Sequence, residues 1–335
     1  MAIDLASDLT LLELANREDP KGGLADLVDV ISKNSSIVKS ATWIECNRGT
    51  YHEDTQIVFR PSGSLRGYDM GVTKEASGTQ KVLEPTCMLD GLSEIDAAKL
   101  RHTPDQLAAR LQEDNMFMAG MSEGVSELVI EGDRSDDPLS INGIINRSDY
   151  SALGEPNVYD NAGGDASATE NKTFILIIQW GAKKVNMTYP RNDPNAPNEN
   201  GIHTDDYGRY LTTDGASKKY PVWGTWFEAH FGLFISDPRA VKIIVNISTT
   251  NIDGIDDFSF NEDAVIDAVG DLRYSHERTF MYCCPTVSSQ MRKRVKDKMN
   301  VNLNVYEPWG KPVLQWDDIP ILSEEMIGTT YATWE

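Results

Sequence analysis

The stretch from Glu84 to Arg147 constrains this chain more than any other, because it reads as a short strand, a very long helix and a Gly/Asp-rich exit. Thr103-Pro104-Asp105-Gln106 reads as a helix start: an N-cap Thr, a Pro at the first helical position, an early acid and a Gln that closes a capping box. Leu107, Leu111, Met118, Met121, Val125 and Leu128 then follow one face, with Leu111 and Val125 expected to be buried, and the pattern stops at Gly132. About 28 helical residues at roughly 1.5 Å each make a rod of about 40 Å. Helices in ordinary globular domains average about 11–12 residues. A rod this long suits a thin, wide molecule better than a compact one.

The flanking segments differ in kind. Residues 1–44 read as a helical arm, with Leu5, Leu9 and Leu12, then Leu24, Leu27, Val28 and Ile31, at helical spacing on either side of Asp19-Pro20-Lys21-Gly22-Gly23. Residues 47–81 are rich in Gly, Ser, Thr and charge, and Ile57, Val58 and Phe59 are their only apolar cluster. Such a segment buries too little apolar area to offset its ordering entropy, so it is either disordered or a β-hairpin packed on something else. Its well-patterned flanks favour a projecting hairpin that docks on a neighbouring chain, with Gly63 and Gly67 at the tip or bend.

Downstream the pattern becomes β-rich. Residues 156–170 and Pro190–Gly201 read as loops. Thr173–Trp180, Val185–Tyr189, Trp223–Ile235 and Val241–Ile247 read as strands. Glu262–Tyr274 and Pro285–Met299 read as helices, and Met281–Cys284, Val301–Tyr306, Val313–Trp316 and Ile319–Leu322 as short strands. Helices and strands do not alternate regularly, which makes the class α+β.

Charge and cysteine usage narrow the function. The chain has 335 residues, with 31 Lys plus Arg against 52 Asp plus Glu, a formal net charge of −21. An acidic surface argues against tight sequence-independent nucleic-acid binding, which needs phosphate neutralisation. No apolar run approaches the length of a transmembrane helix, and Met1-Ala2-Ile3-Asp4 lacks a signal-peptide pattern, so no membrane partner is expected. Cys46, Cys87, Cys283 and Cys284 show no C-x-x-C spacing and read as free, reduced, mostly buried thiols of a cytoplasmic protein.

The search for chemistry returns little. Gly120-Met-Ser122-Glu-Gly124 matches the nucleophile-elbow pattern, but that motif needs a strand and a strained turn, and here the match lies inside the helix. His52, His102, His203, His230 and His276 are scattered and form no evident triad with Ser122. Glu131-Gly-Asp133-Arg-Ser-Asp136-Asp137 and Asp253-Gly-Ile-Asp256-Asp257 lack calcium-loop spacing and read as solvated acidic turns. Arg292, Lys293, Arg294, Lys296 and Lys298 form a basic cluster, either a solvated helix face or a contact for acidic surfaces of neighbouring subunits. Trp223, Trp226 and Phe227 read as core or interface. No catalytic, cofactor or metal residue is assigned.

The order of parts resembles the major capsid proteins of tailed phages, the Hong Kong 97-like fold, and among them the epsilon-fifteen type of short-tailed phages. Glu84-Pro-Thr-Cys-Met-Leu-Asp-Gly-Leu-Ser-Glu-Ile-Asp96 resembles the strand leading to the family's spine helix. Leu128-Val-Ile-Glu-Gly-Asp133, Asp137-Pro138 and Asn142-Gly143-Ile-Ile-Asn-Arg147 resemble its exit. Gly310-Lys-Pro-Val313 and Ile319-Pro-Ile321 resemble the strand pair of its axial domain.

The resemblance implies an N-terminal arm at 1–44 and an extended loop at 45–86. It implies a peripheral domain at 87–155 and about 203–250, with a spine helix at about 103–131, and an axial domain at about 156–202 and 251–335. It implies a non-enzymatic shell protein that assembles in the host cytoplasm as hexamers and pentamers into an icosahedral virion head around double-stranded DNA, without sequence-specific binding. The partners implied are further copies of itself, a portal protein, a possible decoration protein and, because the arm starts almost at once, a separate scaffolding protein. Lys74 and Lys81 lie in the loop, but no partner Asn or catalytic acid for an isopeptide cross-link is identifiable. The alternatives are an encapsulin-type compartment shell and a hydrolase using Ser122.

Overall fold

The computed structural model describes residues 36–103, 105–147, 157–161, 171–191, 202–214, 217–249, 259–272, 277–296, 303–306 and 313–331. Most of the arm, the acidic turn Asp253–Asp257, His276, Lys298 and most of the two expected loops lie outside them. The described residues divide into two compact units. The first takes in residues 88–125 and the described part of 194–230; the second takes in the described parts of 34–87, 126–193 and 231–335.

The second unit is built on a seven-stranded sheet in the order β12-β13-β14-β11-β6-β10-β5. Its strands are β5 (Val158–Asp160), β6 (Lys172–Gln179), β10 (Val241–Ser248), β11 (Thr279–Cys283), β12 (Leu303–Tyr306), β13 (Val313–Trp316) and β14 (Ile319–Ser323). Strand β6 is buried along its whole length, which is why Phe174 to Ile178 form an unbroken apolar run rather than an alternating one. It pairs antiparallel with β10 on one side and β11 on the other, and β11 runs parallel to β14. The helix Glu262–Gly270, capped by the Asn261 side chain, packs on β10 and β5, and the helix Pro285–Lys296 packs on β12 and β14. A polar knot sits in this core. Tyr282, fully buried, accepts from Trp180 Nε1 at 2.8 Å and bonds Ser40 Oγ, and burial raises its phenol pKa. The buried Glu324 carboxylate takes the Ser36 and Ile37 backbone amides at 2.7 and 3.1 Å, capping the short helix α1 (Ile37–Ser40). Strands β1 (Trp43–Glu45) and β7 (Val185–Tyr189) pair in parallel, and β7 pairs with the end of β9 (Lys219–Ile235).

The first unit contains most of strand β4 (Cys87–Asp96), the short helix α2 (Ala97–Leu100), the long helix α3 as far as Val125, strand β8 (His203–Thr213) and β9 up to His230. Helix α3 runs from Gln106 to Glu131, 26 residues. At about 1.5 Å per residue it is about 39 Å long.

Two expectations for this helix are corrected. Its cap is Asp105, not Thr103: the Asp105 carboxylate takes the Leu107 and Ala108 amides at 3.0 and 3.1 Å. Helical geometry begins at Gln106, so the short acid next to it reaches the first free amides. The Thr103 amide instead closes the preceding turn on Leu100. The buried face is also rotated at the N-terminal end. Leu107 and Leu111 are 65% and 52% exposed, whereas Ala109 is buried. Burial follows the i, i+4 row through Ala109, Phe117, Met121, Val125 and Val129, which is inclined to the helix axis. Ala109 packs with Ile95 and Leu100, and Trp223 closes that cluster. Arg110 lies 4.9 Å over the Trp223 ring and donates to Asp206 at 2.6 Å, and Phe117 stacks on Phe227 at 5.5 Å. A small residue and a cation over an aromatic ring do the packing there; Leu107 and Leu111 do not.

Val125 is 1% exposed, so Val125→Asp buries an uncompensated charge and costs several kcal/mol. Leu111→Asp changes subunit stability by no more than about 0.5 kcal/mol. Expression and urea denaturation of the two variants check this: Val125→Asp is insoluble or loses most of its stability, and Leu111→Asp unfolds with the wild type.

Candidate assembly surface

Strands β2 (Tyr51–Phe59) and β3 (Gly78–Pro85) form an antiparallel hairpin, in register from Tyr51↔Pro85 to Ile57↔Thr79 and shifted by one residue at Phe59↔Gly78. The expected projecting hairpin is present. Its stem is held by polar contacts. Glu53 pairs with Lys81 and with Arg48 at 3.6 Å, and its amide donates to Asn47 at 2.9 Å. The Lys81 hydrogen bond holds the half-buried Glu53 carboxyl below its usual range. Gln56 donates to the Ser236 carbonyl at 2.7 Å, and the His52 ring meets Phe234 edge-on at 4.5 Å. Burial lowers the His52 pKa.

Beyond the stem, residues 60–77 are all exposed. Leu65 and Tyr68 are fully open to solvent, and Met70 and Val72 are more than half exposed. A two-stranded hairpin is marginal by itself, and exposed apolar side chains concentrated on one projection mark an interaction surface. Lys74 lies on the exposed tip.

The root of the hairpin is tied to the exit of helix α3. Arg147 donates through Nη1 to Glu84 at 2.6 Å, and through Nη2 to the Asn142 and Leu233 carbonyls at 2.9 and 3.1 Å. Both charged side chains are less than a tenth exposed. Arg147 ends the exit motif, but its partner lies 63 residues away and sequence spacing gives no sign of it.

The exit loop is fixed by the unpaired carbonyls at the helix end. Ile144 and Ile145 donate to Val129 and Ile130 at 2.9 and 3.1 Å, Gly143 to Gly132 at 2.7 Å, and Asn146 Nδ2 to Glu131 at 2.7 Å. This return demands close backbone approach. A Cβ on Gly143 would stand 2.5 Å from the Gly132 nitrogen and 2.8 Å from the Ile130 oxygen. The acidic residues of the exit make turn hydrogen bonds. Asp133 takes the Ser135 amide and hydroxyl at 2.7 and 2.6 Å, which lowers its pKa, and Asp137 takes the Leu139 amide at 3.0 Å.

The other candidate residues are dispersed. Ser122 is half-buried in the interior of helix α3, without the strand and turn an elbow requires. His102 is exposed, and His203 and His230 contact Asp205 and Glu228 at 3.1 and 2.8 Å. Arg292 is exposed, and Lys293 and Arg294 are half-buried on the helix Pro285–Lys296. All four cysteines are buried and free; burial pushes Cys87 up to about 12.

With the hairpin, the long helix and the sheet unit in place, the fold is that of the Hong Kong 97-like phage capsid proteins. Over 99% of its length the chain superposes on 99% of a capsid chain of bacteriophage Epsilon15, with a TM-score of 0.73 and 24% identity. It also matches the capsid of bacteriophage JBD30 (TM-score 0.47, 10% identity, 96% of this chain and 100% of that one). A match to the holo-encapsulin complex of Synechococcus elongatus has a TM-score of 0.38 and 12% identity, over 68% of this chain and 94% of that one. No curated protein sequence matches. A family model for the major capsid protein GP7 matches residues 19–333, and the chain belongs to that family. It is a structural protein of the phage virion that self-associates into the capsid shell.

Removing Arg147 leaves Glu84 buried without a counter-charge, a loss of about 3–5 kcal/mol. Arg147→Met therefore lowers the unfolding midpoint sharply, and the double variant Arg147→Met, Glu84→Leu recovers most of the loss. Chemical denaturation of the three proteins measures the difference.

Proposed function

We propose that the hairpin Tyr51–Pro85 is the extended loop of the shell, clamping the neighbouring subunit as each subunit joins hexamers and pentamers of an icosahedral head. The observation that carries this is the tip, whose apolar residues Leu65, Tyr68, Met70 and Val72 face solvent in the single chain. Helix α3 serves as the spine of the peripheral domain, and the seven-stranded sheet with its two helices supplies the axial domain. The arm at 1–44 completes the subunit.

The particle encloses double-stranded DNA without gripping it. A net charge of −21 repels the phosphate backbone, so the wall holds the genome by confinement. Assembly takes place in the host cytoplasm with a scaffolding protein, and a portal protein and a decoration protein complete the head. The protein performs no catalysis, in keeping with the mid-helix position of Ser122.

Shell contacts repeat many times, so about 1–2 kcal/mol per clamp decides whether a shell closes. Replacing residues 60–77 with a short Gly/Ser turn leaves the Gln56–Ser236 bond and the stem in place. The shortened subunit keeps near-normal circular dichroism and sediments as small oligomers under conditions where the wild type closes shells. Normal shells from the shortened chain would show that the tip is dispensable for assembly.

A further inference from the structure

The first unit gathers imidazole and carboxylate groups on one face of a sheet. Along β9, Phe227 and Ala229 are buried, while Trp226, Glu228 and His230 alternate with them on the half-open face. Strand β8 pairs with β9 so that His203 stands opposite Glu228 and Asp205 opposite Trp226. Directly opposed residues in an antiparallel pair project to the same side, with Cβ atoms about 4.5–5.5 Å apart. On its other edge β9 neighbours β4, which brings up Asp90. A ligand atom of each of Asp90, Glu228 and His230 lies within 4.8 Å of the other two. His230 Nε2 is 2.8 Å from Glu228 Oε1, and His203 Nε2 is 3.1 Å from Asp205 Oδ1.

We propose that Asp90, Glu228 and His230 bind a divalent transition cation of the Zn²⁺ class. The donor set selects the class: imidazole nitrogen with carboxylate oxygens suits zinc and its neighbours, whereas magnesium and calcium take oxygen alone. Zinc bonds to nitrogen and oxygen of about 2.0–2.2 Å in a tetrahedral array set the donor atoms about 3.4 Å apart, so the 2.8 Å His230–Glu228 contact opens as the cation enters, a shift within the reach of side-chain rotation. The i, i+2 spacing on β9 points Glu228 and His230 the same way from one rigid strand, and Asp90 comes from a second. The side chains of Glu228 and His230 are 23% and 19% exposed and Asp90 is open, so the cation has an entry path and room for water. A bound cation would join β4 to β9, immediately after the strand that leaves the hairpin. This site is independent of the clamp.

The test titrates Zn²⁺ into the full-length chain, stripped with chelator, by isothermal calorimetry. One saturable site per chain is expected. Asp90→Asn and His230→Gln each weaken it at least tenfold, with circular dichroism unchanged, and His102→Gln leaves it intact. Zn²⁺ raises the melting temperature of the wild type in a concentration-dependent way and does not raise that of His230→Gln. Co²⁺ bound in the same site gives visible absorption bands that His230→Gln abolishes. No saturable binding, binding unchanged in both variants, or equal affinity for Mg²⁺ each overturns the proposal.

Discussion

The hairpin's position depends on one buried ion pair. Arg147 and Glu84 are both desolvated, so their attraction must offset a solvation cost of several kcal/mol, and the net gain in stability over an apolar pair is small or absent. What the pair supplies is geometry. A guanidinium that also holds the Asn142 and Leu233 carbonyls fixes β3 against the loop that leaves helix α3 and against β9. The loop itself is held by the last helical carbonyls and by two glycines that admit no side chain. A projection built on this root has a defined direction even though its tip makes few contacts of its own.

That arrangement fits a protein whose purpose is repetition. The second unit carries its core within one chain, with β6 buried along its whole length and with Tyr282 and Glu324 hydrogen-bonded inside it. The hairpin tip has the opposite character, with few contacts and apolar side chains facing water. Arg60, Arg66 and Lys74 outnumber Asp69 and Glu75 there, so the tip is weakly basic in a chain with a net charge of −21. A neighbouring copy is acidic on average, and electrostatics favour the approach.

How much of this was legible in the sequence follows from the range of each interaction. The buried strands β6 and β10 announce themselves as apolar runs, and the hairpin as a polar, glycine-rich stretch between patterned flanks. Strand β8 was not foreseen, because His203–Thr213 is almost entirely polar and is held by pairing to β9 rather than by an apolar face of its own. The long helix was visible, but the face of its first turns was not. Large side chains suggested Leu107 and Leu111, and the choice of Ala109 follows from Ile95, Leu100 and Trp223, which only the fold brings together. The Arg147–Glu84 pair and the Asp90–Glu228–His230 group were invisible for the same reason: Glu84 lies 63 residues from Arg147, and Asp90 comes from a different strand from Glu228 and His230.

The central claim is that the tip is ordered by a neighbour and the root by its own chain. Amide hydrogen exchange on the isolated subunit and on the assembled particle separates the two most directly. In the subunit, amides of residues 60–77 exchange at nearly the unprotected rate, while those of the paired stem, Tyr51–Ile57, are slowed. In the particle the tip gains at least a hundredfold protection and the stem changes little. A tip that exchanges equally fast in both states would contradict the account.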